Sequence, residues 1–303
     1  MYLEHFGLRE PPFSITPDTS FFFNHPGHQQ AMNVLLVALR CAEGFIKITG
    51  EVGTGKTLLC RKLLNLLADD DKYVTAYIPN PYLTPAALNM ALADELGIEF
   101  ARNIGQHRLL QLITDRLIDL TARGKRVVLL IDEAQAMPQA SMEALRLLTN
   151  LETEKYKLLH IVMFGQPELD EILQRPSIRQ LRQRIAFSHV LPHMTLDAVE
   201  AYITHRLTVA GYNGAPLFAP AAIKLLYKAS RGTPRLINIL AHKSLIAGYG
   251  QGARKITASQ VRAAVNDTED TRQASGNSMY RLLGIVTSIL VGLGVFLYLG
   301  WAR

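Results

Sequence analysis

Gly50-Glu51-Val52-Gly53-Thr54-Gly55-Lys56-Thr57 brings glycines, an ammonium group and a hydroxyl together in one short stretch. A backbone without Cβ atoms can curl until its N–H groups converge on an anion, and a helix starting at that curl adds the positive end of its dipole. The spacing G-x-x-x-x-G-K-[ST] is that of a phosphate loop. Its expected ligand is ATP, touched by Gly50, Glu51, Val52, Gly53, Thr54, Gly55, Lys56, Thr57 and the next residue, Leu58. Lys56 is expected to reach the β- and γ-phosphates, and Thr57 to hold Mg²⁺.

Hydrolysis needs two further carboxylates, and Asp132-Glu133 supplies them directly after the apolar run VVLLI, Val127 to Ile131. The carboxyl end of a buried parallel strand is where open α/β sheets bind ligands. Asp132 is expected to coordinate the metal, directly or through a water. Glu133, beyond the metal, is expected to orient the attacking water as general base.

These groups need a frame to hold them. Strand-like runs at Phe45–Thr49, Tyr73–Ile78, Val127–Ile131, Leu158–Gly165 and Ile185–Leu191 alternate with helical periodicity at Thr57–Ala68, Pro85–Leu96, Gln106–Thr121 and Gln139–Leu151. Parallel strands require crossover connections, so the alternation predicts a parallel sheet with helices on both faces. After Pro192 the pattern is helical throughout, at Leu196–Ala210 behind an N-cap at Thr195, then Ala221–Ser230, Pro234–Tyr249 and Thr257–Val265. The fold class is α/β, a P-loop NTPase followed by a small all-helical lid. The chain divides into an N-terminal helical and loop segment (1–44), the ATPase core (45–192), the lid (193–266), a linker (267–281) and a transmembrane helix (282–299).

That last segment, Leu282 to Leu299, carries no charge and follows a polar tether, NDTEDTRQASGN from Asn266 to Asn277. As a helix at ~1.5 Å per residue it spans about 27 Å, close to the thickness of a bilayer core. A membrane anchor is expected, with the bulk of the chain remaining where it is made, because Met1 to Pro12 has no secretory pattern.

Composition bounds the remainder. A chain of 303 residues, 49% apolar and 19% charged, can bury the cores of two domains, which excludes disorder as its main character. Its net charge of +6 is compatible with several acidic partners and selects none. Cys41 and Cys60 lie in apolar, helix-like stretches and are expected to act as small buried hydrophobes in a reducing compartment. His25 and His28, without neighbouring Cys, Asp or Glu at metal-ligand spacing, are expected to be a loop feature.

The two motifs with a helical domain behind them resemble the AAA+ ATPases, over roughly Met1 to Val265. The opening HFGLREPPFSITPD (His5 to Asp18), FGQPEL (Phe164 to Leu169) and RQLRQRI (Arg179 to Ile185) narrow the resemblance to the ExeA/GspA family. That family serves secretion and pilus assembly in the bacterial envelope. The resemblance implies a homo-oligomeric, ring-like ATPase on the inner membrane, with its ATPase domain cytoplasmic. It implies membrane components of a type IV (mannose-sensitive haemagglutinin) pilus or a type II secretion-like system as partners, and lipid around the C-terminal helix. It places Gln166 at the sensor position and offers Arg179, Arg182 and Arg184 as the finger inserted into a neighbour's site, Arg184 first and Arg182 second. It matches Arg235, in Gly232-Thr233-Pro234-Arg235, to the second sensor on bound nucleotide. ExeA-like relatives continue past the membrane helix into a peptidoglycan-binding domain, and with the chain stopping at Arg303, direct cell-wall contact is not expected. The rival reading is a DNA-associated AAA+ ATPase of the transposition-helper kind, using Arg175 to Arg206 as a phosphate-binding patch. The absence of a recognisable DNA-binding fold and the hydrophobic end count against nucleic acid.

Overall fold

Branched and aromatic residues dominate the runs that form strands β1 (Phe45–Thr49), β2 (Tyr73–Ile78), β3 (Arg126–Ile131), β4 (Leu159–Gly165) and β5 (Phe187–Val190) in the computed structural model. It describes residues 2–16, 18–41, 44–101, 103–152 and 157–268. The strands make one parallel sheet in the order β2-β3-β4-β1-β5. β4 is buried at every position and β3 at all but its first, because both are interior strands covered on two faces. β5 is shorter than the expected Ile185–Leu191, since as an edge strand it pairs only with β1, from Ile46↔Phe187 to Thr49↔Val190.

Alternation along the strands sends side chains to two separate cores. Val127, Leu129 and Ile131 pack with Ile161 and Met163 under α4 (Pro85–Glu95), α5 (Gln106–Ala122), α6 (Gln139–Leu148), α7 (Glu168–Leu173) and α8 (Arg179–Arg182). Val128 and Leu130 point the other way, with Ile46, Ile48, Val162 and Phe164, onto α2 (Pro26–Arg40) and α3 (Lys56–Ala68). Helix α3 offers Leu59, Leu63 and Leu67, four residues apart on one face, and each such leucine contributes about 1.5–3 kcal/mol on full burial. Lys47 would be an error on the first face without a partner; Asp170 of α7 accepts from its ammonium.

The sheet unit comprises Thr16–Met194 together with Thr233–Arg235. A second unit is helical: the described residues of Met1–Ile15, Thr195–Gly232 and Leu236–Arg303. It holds α1 (Tyr2–Phe6), α9 (Leu196–Val209), α10 (Pro220–Ser230), α12 (Ala258–Asn266) and α11 (Pro234–Gly250) from Leu236 onward. Thr195 caps α9 by accepting from Ala198 N, and Thr257 and Gln260 form a reciprocal capping box on α12. The opening of the chain thus divides between the units at residue 15. Its first part docks through Arg9 N on Ala210 O at 2.8 Å, Phe13 edge-on to Phe218, and Arg206, whose guanidinium donates to Pro12 O and to the Tyr202 hydroxyl.

Two expectations change. Cys41 is exposed, because α2 ends at Arg40 and the residue leaves the buried stripe, whereas Cys60 is buried and its thiol pushed up by desolvation. His25 and His28 are no loop feature: His25 caps α2 by accepting from Gly27 N, His28 lies in the first turn, and each is only 4% exposed. Of the expected linker only Asp267 and Thr268 are described, and the expected membrane helix lies outside the described residues. Among the described residues no helix is long and apolar enough to cross a membrane.

Candidate active site

Strand order decides which loops meet. With β4 between β3 and β1, the turns after all three emerge side by side at the carboxyl edge, although they are far apart in sequence. The turn after β1 is the glycine loop. Thr54 closes it by donating both its N–H and its hydroxyl to Glu51 O, at 3.2 and 2.8 Å. Gly53 and Gly55 take φ of 80° and 96°, left-handed values that side chains rarely tolerate. A Cβ on Gly53 would also lie 2.6 Å from that of Arg235, whose N–H donates to Gly53 O at 3.2 Å.

Helix α3 begins at Lys56, 5% exposed, whose ammonium donates to Gly50 O at 2.7 Å and Glu51 O at 2.9 Å. Burial lowers its pKa, opposed by the carboxylates of Glu133, Asp132, Glu51 and Glu168. One residue on, Thr57 hydrogen-bonds the side chain of Asp132. Asp132 is 2% exposed; burial raises its pKa, while the bonds from Thr57 and from Glu133 N, the latter at 3.0 Å, hold it down.

Glu133 adopts φ 50° and ψ 39°, one of two non-glycine residues with positive φ among the described residues. Such conformations persist where surrounding contacts enforce them. Here two amides do so: Gln135 Nε2 and Gln166 Nε2 both donate to Glu133 Oε2, the latter at 3.0 Å. Gln135 also accepts from Gln166 N at 3.0 Å, so a three-residue clamp joins the end of β3 to the end of β4. Gln166 is therefore brought to Glu133. Gln135 had no assigned role in the sequence, because no spacing rule reveals which side chain a left-handed turn folds back upon.

The arginines differ in placement. Arg184 donates to the carbonyl and hydroxyl of Thr149 at the end of α6, at 3.2 and 3.1 Å. Arg179 and Arg182 are exposed on α8.

These residues fit ATP and Mg²⁺. The left-handed glycines bend the loop beside a buried lysine, and the Thr57 hydroxyl paired with a buried carboxylate is the sparse oxygen set that Mg²⁺ takes when phosphates and waters complete its shell.

Comparison with known proteins shows the family and the fold. The AAA domain family matches residues 40–173. General secretion pathway protein A of Aeromonas hydrophila is 41% identical over 302 residues, covering 99% of this chain. The chain spans about half of that relative's length, 54%. Among solved structures, Cdc6p from Pyrobaculum aerophilum superposes with a TM-score of 0.63 at 19% identity, over 82% of this chain and 70% of its own. Drosophila ORC bound to DNA gives 0.63 at 17% identity, over 88% and 66%. The RuvB Holliday junction branch migration motor of Thermotoga maritima gives 0.55 at 18% identity, over 85% and 75%. At these identities the structural likeness establishes the fold alone.

Proposed function

The chain is an AAA+ ATPase of the kind represented by General secretion pathway protein A, and from that premise we propose that Gly50–Thr57 binds ATP, that Glu133 activates the water that hydrolyses it, and that the cycle drives assembly of a bacterial envelope machine. The observation that carries this reading is the meeting of Lys56, Thr57, Asp132 and Glu133 at one sheet edge, although the last two lie over seventy residues beyond the loop. Lys56 attracts the β- and γ-phosphates, and its partly compensated burial makes it a strong electrostatic partner for them. Thr57 and Asp132 hold Mg²⁺, which when bound neutralises charge on the phosphates. Glu133 accepts the proton of the attacking water at its carboxylate, while Gln135 and Gln166 keep that carboxylate aimed. Arg235, fixed to the loop through Gly53, contacts the nucleotide from the same chain.

The chemistry becomes work through subunits. We place the trans-acting finger at Arg182, because Arg184 is already committed to Thr149. A homo-oligomer supplies that arginine, and a C-terminal membrane helix over 282–299 fixes the assembly at the inner membrane. There the partners are components of a secretion system or type IV pilus, in keeping with the secretion relative. Likeness to DNA-bound neighbours rests on 17% identity and adds no support to the rival nucleic-acid reading.

The test is a paired measurement. Lys56→Ala should lose affinity in a fluorescent-nucleotide titration, while Glu133→Gln should bind ATP and turn it over about 10²–10⁴-fold more slowly. Undiminished binding by the first, or undiminished turnover by the second, removes the assignment. Membrane fractionation of the full chain should leave it in the pellet, and a soluble chain would remove the anchor.

A further inference from the structure

Beneath the glycine loop lie two buried histidines that the chemistry above does not use. His28 Nε2 stands 3.0 Å from Thr54 O. A carbonyl only accepts, so the hydrogen must sit on Nε2, which fixes the tautomer of the neutral ring. The same ring fills the space behind Gly55: a Cβ there would meet His28 Cε1 at 2.9 Å and Nε2 at 3.0 Å. Phe22 stacks on His28 at 5.7 Å between centroids, and the His25 ring lies 4.1 Å away, itself held by accepting from Gly27 N at 3.1 Å. Burial keeps the pKa of His28 below its ordinary value despite the main-chain groups of Thr54 and Phe23, which favour the cation.

A trans peptide points its C=O and N–H in opposite directions. With Thr54 C=O held toward His28, the N–H of Gly55 must point away from it. The Thr54–Gly55 peptide would otherwise be free to flip, because glycine at φ 96° places little steric restraint on its own plane.

We propose that His28 is a positioning residue for nucleotide binding, which locks the Thr54–Gly55 peptide so that the Gly55 N–H faces the triphosphate. The inference rests on the phosphate-loop reading of Gly50–Thr57. His28 does not touch the nucleotide; it removes a competing loop conformation before binding. Its loss therefore weakens affinity for ATP and ADP alike and leaves turnover at saturating ATP nearly unchanged.

The experiment titrates the full chain with a fluorescent ATP analogue and measures KM and kcat for ATP. His28→Leu keeps bulk but has no donor, and should weaken binding and raise KM by about tenfold, the value of one well-placed hydrogen bond. His28→Gln carries an amide donor near the Nε2 position and should recover most of that affinity. His28→Asn is too short and should not. A folded His28→Leu protein with wild-type affinity overturns the proposal, as does a loss confined to kcat. Should the leucine variant fail to fold, the Gln and Asn variants decide, and equal affinities for those two overturn it. Wild-type chain that binds no nucleotide would sink the phosphate-loop reading and this inference together, whereas unchanged affinity on replacing His28 sinks this one alone.

Discussion

Two buried basic side chains beside the loop meet the same desolvation penalty on their cationic forms, and each resolves it differently. Burial lowers the pKa of Lys56, but the carboxylates of Glu133, Asp132, Glu51 and Glu168 oppose that shift, and its Nζ donates to Gly50 O and Glu51 O. His25 has no such help: desolvation first, and the adjoining His28 ring second, bring its pKa down to about 4. Between the ordinary 6.5 and about 4, the unfolded chain binds a proton that the folded chain refuses. Stability is thus unaffected by this group above pH 6.5 and declines as the pH falls through that window, by on the order of 3 kcal/mol at its lower end. His25→Asn retains an acceptor for the Gly27 N–H and removes the titration. Its urea midpoint should fall less steeply than wild type between pH 6.5 and 4, and parallel curves would show that His25 does not carry the acid sensitivity.

At the scale of elements, the N-terminal arm is held to the helical unit by polar contacts as well as by apolar ones. Arg206 of α9 is 5% exposed and donates to Pro12 O, Ser14 O and the Tyr202 hydroxyl, while Tyr202 bonds Asn238, which also donates to Ser14 O. Removing the guanidinium strands the buried Pro12 carbonyl and takes one donor each from Ser14 O and the Tyr202 hydroxyl. Arg206→Ala should cost about 3 kcal/mol in chemical denaturation, as expected for bonds made by a charged donor. It should also make the arm before residue 16 more sensitive to limited proteolysis. A loss below about 0.5 kcal/mol would place Arg206 among the ordinary surface positions. Lysine should rescue little, because one ammonium cannot reproduce the planar fork of donors.

For the whole molecule, the question is whether one chain completes its own site. Within the sheet unit, Arg184 is tied to Thr149, and Arg182 remains exposed on α8. If Arg182 acts on a neighbour's nucleotide, then Arg182→Ala and Lys56→Ala chains, each inactive alone, should regain turnover when mixed, because some interfaces then pair an intact arginine with an intact loop. A finger of this kind is worth about 10³–10⁵ in rate, so even partial restoration is measurable. Mixtures no more active than their separate parts would assign Arg182 a role within its own chain.

Local signals made much of this chain legible in its sequence. Gly50–Thr57 is readable because the loop's requirements fall on consecutive residues, and β1 and β2 are readable to the residue because short runs rich in β-branched and aromatic side chains stand there between clear breaks. Asp132 and Glu133 were readable from their place at the end of β3. What the sequence could not supply depends on which side chains the folded backbone turns toward one another. Gln135 folds back on Glu133 and Gln166 through a left-handed turn, His28 rises beneath Thr54, and Arg184 spends its donors on Thr149. Hydrophobic periodicity and motif spacing are one-dimensional and survive in the sequence. The direction a polar side chain takes depends on which partner stands within hydrogen-bonding distance, and only the tertiary structure decides that.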